Sequence, residues 1–132
     1  MGFFSKKRSK AKNEGPLVID PNAFLVDEGR KLASQERFME AVMVFEKAEG
    51  LFRSGLANSW ASADPSVKMQ AGFLAAALGN HALVLARDLH RPEEALPIAH
   101  EAIAVLRTHG LSVMLEEHQR ILETVEARLA SG

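Results

Sequence analysis

Apolar residues recur along this chain at steps of three and four, in five stretches bracketed by residues that start or stop helices. Leu25, Gly29 and Leu32 share one stripe of a helix predicted over 21–34. Asp20 supplies its N-cap acceptor, and Pro21 takes the first helical position, where a missing N–H removes no bond. A short turn near 34–36 leads to a second helix over 37–53, one-sided through Phe38, Ala41, Phe45, Ala48 and Phe52. Gly50 weakens its last turn and Ser54-Gly55 ends it. Residues 56–64 read as a loop holding the only tryptophan, Trp60, and Asp64-Pro65 repeats the earlier start signal.

The third helix, predicted over 65–89, is apolar on nearly every face at its centre, so other helices must surround it. Gly72, Ala76 and Gly79 let those neighbours approach closely. The apolar run Ala71–Ala86 is 16 residues long and carries Asn80 and His81, short of the about 20 apolar residues that a bilayer crossing needs. It reads as a buried spine. His90-Arg91-Pro92 breaks the chain before a fourth helix over 92–108, with Ala95, Ala99 and Ala102 inside and Pro97 expected to bend it. After His109-Gly110, a fifth helix over 112–130 carries the seam Leu111, Leu115, His118, Leu122, Val125 and Leu129, flanked by Met114 and Ile121. That seam has two uses: it caps the chain's own helices, or it pairs with a second copy in a homodimer that offers His118 a polar neighbour.

Ala41, Phe45 and Ala48 have the same spacing as Ala95, Ala99 and Ala102, and each set follows a tight turn and another helix. The first unit resembles a tetratricopeptide repeat. Leu25 stands at that pattern's first position, Gly29 at its glycine, Leu32 at its tyrosine, Ala41 at its alanine, Phe45 at its phenylalanine and Ala48 at its second small position. Glu28 replaces the leucine and Arg53 the closing proline. In the second unit, 54 residues on, Leu83 falls at the glycine and Ala86 at the tyrosine, and the match rests on Arg91-Pro92-Glu93-Glu94-Ala95-Leu96 and the alanines. The resemblance covers about residues 21–107, with the fifth helix as a cap. It implies an all-α fold of stacked antiparallel helix pairs over 20–132 and a protein-binding adaptor. The groove it implies is lined by Val26, Arg30 and Ala33 from the first helix, and Asn80, Val84, Arg87 and Asp88 from the third. Arg30, Asn80 and Arg87 are suited to grip a peptide carboxylate or backbone.

Composition adds exclusions. The chain has 132 residues and no cysteine, so thiol nucleophiles, disulfides and zinc–thiolate sites are ruled out. Residues 1–13 carry five basic side chains and no acid, and the rest holds 11 basic and 17 acidic residues. The net charge of −1 is therefore a basic leader on an acidic body. Residues 3–12, with Phe3 and Phe4 beside the lysines, suit a weak contact with an anionic membrane surface, while nothing in the body suits nucleic acid. No secretory signal precedes the first helix, which points to the cytoplasm. His81, His90, His100, His109 and His118 fall nine or ten residues apart, not at the three- or four-residue steps of helical metal ligands. Glu93-Glu94 and Glu116-Glu117 are neighbours that cannot face each other on a helix, so they make poor acid–base pairs. No phosphate loop or nucleophile–base motif appears. The expectation is a protein without enzymatic activity, cofactor or metal.

Overall fold

The computed structural model describes residues 22–58 and 65–131. These are helical, with no strand among the described residues: α1 (Phe24–Ser34), α2 (Phe38–Ala57), α3 (Pro65–Leu83), α4 (Pro92–Thr108) and α5 (Ser112–Ser131). A π turn, Val84–Asp88, continues α3. Asp20, Pro21, Trp60 and the basic leader lie outside the described residues. The first helix begins at Phe24 after a turn at Asn22 and Ala23, three residues later than the predicted start at Pro21, and two further boundaries differ from expectation. Glycine does not end α2 at Ser54-Gly55, because Phe52 is buried and Leu56 packs against the core beyond it. The missing Cβ at Gly55 also makes room for the Gln70 side chain of α3. The second difference is that α3 stops being α-helical at Leu83, six residues before its predicted end.

Each helix packs on its neighbours in the chain, and α3 also makes lighter contacts with α1 and α5. The odd-numbered helices thus form one layer and α2 and α4 the other. The alanines explain how closely the layers approach: Ala41, Ala48 and Ala95 are fully buried, and Ala99 and Ala102 almost so. In place of a Cβ at Gly29 the ring of Phe45 presses on the backbone, joining the glycine and phenylalanine positions of the first unit. As its composition requires, α3 is enclosed, with Ala71, Leu74, Ala75, Ala77, Leu78 and Ala82 all buried. The segment Ser66–Asp88 is long and apolar enough to cross a membrane, but 61% of its most apolar window is buried among the other helices. Across Pro97, α4 runs unbroken, with the proline on its exposed face.

The turns between helices show an internal correspondence that the sequence pattern places one residue off. Arg37 and Arg91 both precede a helix and both clamp the glutamate three residues on, Arg37 to Glu40 at 2.6 and 2.7 Å and Arg91 to Glu94 at 2.7 and 3.0 Å. The first clamp holds the Glu40 carboxyl below the usual carboxylate range and raises Arg37. The backbone N–H of Arg37 donates to Leu32 O at 3.0 Å, and that of Arg91 to Leu85 O at 2.7 Å. The arginines are 54 residues apart but the acceptors only 53, so the turn before α4 contains one residue more than the turn before α2. The π turn absorbs it, closing with a bond from Leu89 N–H to Val84 O, five residues back. Before the π turn the matching positions are therefore Leu25 with Leu78, Gly29 with Ala82 and Leu32 with Leu85, all buried. This spacing differs by one residue from the pairing of Gly29 with Leu83 and Leu32 with Ala86.

Candidate functional site

A cleft of about 480 Å³ opens between the C-terminal end of α1, the turn after it, and the C-terminal part of α3 with its π turn. Such a volume lies in the ordinary range for ligand sites. Six of the seven residues placed in the inner groove by sequence lie around it: Arg30, Ala33, Asn80, Val84, Arg87 and Asp88. Val26 does not. It is buried in the core with Leu25, Ala48 and Leu78, because its position on α1 turns toward the layer beneath.

The polar groups of the cleft are unequally committed. Arg87 is bound to its neighbour Asp88 at 3.1 Å, so the two charges satisfy each other. The Asn80 amide donates to Ala76 O at 2.8 Å, leaving its Oδ1 as an acceptor for anything in the cleft. Arg30 is exposed and lies 3.9 Å from Asp27, a weak surface pair. Half-buried Ala33 and Phe38 supply apolar surface, with Phe45 and Val84 buried beneath them. Sequence reasoning misses Ser34, Glu36, Phe38 and Phe45 as lining residues. Periodicity assigns Phe38 and Phe45 to packing alone, and Ser34 and Glu36 sit at a turn, where it says nothing about orientation. The π turn matters here because Val84, Arg87 and Asp88 all stand on it, and its extra residue rotates their side chains relative to a regular α-helix.

A smaller cleft of about 260 Å³ occupies the corresponding place in the second unit, lined by Ala86, His90, Pro92, Glu93, Arg128 and Ser131. Among the described residues no three His, Asp or Glu side chains come close enough to hold a metal ion.

Two buried polar contacts lie away from both clefts. His81 Nδ1 is 2.7 Å from Glu49 Oε2, with both side chains almost wholly buried, tying α3 to α2. His118 Nδ1 lies 2.9 Å from Met114 O and its Nε2 lies 3.0 Å from Ala75 O. Carbonyl oxygens only accept, so the ring N–H finds a partner in either tautomer. Gly79 makes this possible, since a Cβ there would stand 2.7 Å from His118 Nε2. His118 therefore needs no second copy of the chain to give it a polar neighbour. In the neutral ring the nitrogen that carries the proton is thus hydrogen-bonded within the chain, the other faces a carbonyl, and α5 turns His118, Ile121 and Val125 inward.

No protein-family model, curated protein or solved structure matches this chain.

Proposed function

We propose that this protein is a non-catalytic interaction adaptor that holds a segment of a partner protein in the cleft between α1 and α3. In this reading the fold is two helix pairs of the tetratricopeptide kind, closed by α5 as a cap. The observation that carries it is the cleft itself: apolar surface from Ala33 and Phe38 lies beside uncommitted polar groups, the Asn80 carbonyl and the Glu36 carboxylate. An extended segment offers both kinds of group at once, side chains for the apolar surface and N–H donors for the acceptors. The equivalent turns, the paired arginine clamps and the second cleft support the repeat reading. So does the realignment through the π turn, which puts Ala82 at the glycine position, where a small residue belongs.

Self-association through α5 is not proposed, since the ring N–H of His118 finds a backbone carbonyl within the chain and α5 turns Ile121 and Val125 inward. Site-specific photo-crosslinking tests the cleft. A photoreactive residue replacing Ser34, on the cleft rim, is expected to capture a partner protein in the cells of origin. The same residue replacing Glu123, on the outward face of α5, is the control. Equal labelling at both positions, or none at Ser34, would sink the reading.

A further inference from the structure

Three helix connections in this chain end in a residue with positive φ: Glu36 at 62°, His90 at 57° and Gly110 at 67°. Glycine is the ordinary occupant of such a position, because a Cβ is disfavoured in the left-handed region. The connection that uses glycine is the one with open space around it, since a Cβ at Gly110 would meet no atom within 4 Å. The two that keep a side chain are the two that border clefts, Glu36 on the larger and His90 on the smaller. Backbone preference is overridden only where a side chain meets a cleft.

Resting on the proposal that the cleft holds a protein segment, we infer that Glu36 selects the ligand, and that the segment places a lysine or arginine beside an apolar residue. Charge accounting within the cleft supports a cation. Arg87 and Asp88 neutralise each other, which takes the second carboxylate of the lining out of play, while the exposed Arg30 has only its weak 3.9 Å contact with Asp27. The Glu36 carboxylate makes no hydrogen bond or ion pair with the described residues, so it is the one carboxylate lining the cleft that is left for a ligand. Beside it, Phe38 supplies the apolar surface on which the stem of a lysine or arginine can lie.

The test uses the full chain with the Ser34 photo-crosslinker and two pools of degenerate decapeptides. Both pools carry Leu or Phe at alternate positions; one has Lys or Arg between them and the other Asp or Glu. Capture at Ser34, counted by mass spectrometry, is expected to favour the basic pool by at least about tenfold, the factor that 1.4 kcal/mol of differential binding gives. Glu36→Gln and Glu36→Gly should each abolish that preference. Glu36→Gly should also melt a few degrees higher, since glycine relieves the backbone. The basic leader is common to all variants, so its own attraction for acidic peptides cancels. Capture of neither pool at Ser34 would overturn the cleft as a peptide site, and this inference with it. Capture with no charge preference, or with a preference that survives both substitutions, would overturn the role of Glu36 alone. A Glu36→Gly protein that melts lower than wild type would refute the claim that this side chain is kept against the backbone.

Discussion

At the scale of single residues, the contacts that distinguish this core from a generic packing of Ala and Leu are polar ones. Gly79 and His118 form a coupled pair whose energetics can be separated by sign. In an ordinary helix interior Gly→Ala stabilises by about 0.5–1 kcal/mol. Here the new methyl would overlap the His118 ring, at 2.7 Å from Nε2 and 2.9 Å from Cδ2, and such overpacking costs about 1–3 kcal/mol. Gly79→Ala is therefore expected to destabilise the protein, as read by denaturant unfolding. In a His118→Ala background the same substitution should be neutral or stabilising; a loss of equal size in both backgrounds would mean that the two residues are not coupled. The Glu49–His81 pair gives a second expectation. Glu49→Leu alone leaves a buried imidazole without its partner and should cost about 1–3 kcal/mol, whereas Glu49→Leu with His81→Leu should recover most of that loss. Neither pair was legible as a pair. His81 and His118 were visible, but a helical period reveals which residues point inward and not which partner they meet 32 or 43 positions away.

Among the elements, periodicity locates the helices well because most of them have a wet side and a dry side. The start of α4 at Pro92 and its end at Thr108 follow directly from His90-Arg91-Pro92 and His109-Gly110. The π turn leaves no such trace. Its extra residue falls in a stretch apolar on all faces, where a one-position shift changes no hydrophobic pattern. The cleft residues of α1 and α3 are named only through the resemblance, whose groove positions carry over one by one, and Val26 among them lies in the core instead. Glu36 is not named, for its orientation depends on one backbone angle in a turn. The alanines at helix crossings test the packing. Ala41→Leu and Ala95→Leu each insert a branched side chain at a site with no exposure, and each is expected to lower stability by about 1–3 kcal/mol. Variants that melt with wild type would show that these helices do not meet at the alanines. By comparison, the clamp of Arg53 on Glu101 joins α2 to α4 with both side chains half exposed, and it contributes little.

For the molecule as a whole, charge is distributed more unevenly than its net value of −1 suggests, with five basic residues in the first 13. We hypothesise that this leader acts through electrostatics and independently of the fold. Removing residues 1–15 should leave thermal unfolding nearly unchanged, and should abolish any co-sedimentation with anionic vesicles at low salt. Vesicle binding that outlasts the deletion would locate the contact on the helical body. There, the exposed Phe24, Met39 and Met43 on α1 and α2 contrast with the charged outer face of α5, so the two ends of the stack differ in polarity.

The layering, in which each helix touches only its neighbours in sequence and the next but one, also governs the order in which the fold comes apart. Most contacts are local, so chain entropy opposes folding only weakly and rapid folding is expected. The same locality makes the ends separable. Since α1 leans on α2 and only lightly on α3, it can open without disturbing α3, α4 and α5, which hold one another. Native-state hydrogen exchange should therefore be graded along the chain: the amides of α1 exchange through a low-energy partial opening, and those of α3 only through global unfolding. Because α1 supplies one wall of the cleft, a bound segment would be expected to slow exchange in α1 more than anywhere else, which makes fraying at that end a gauge of occupancy.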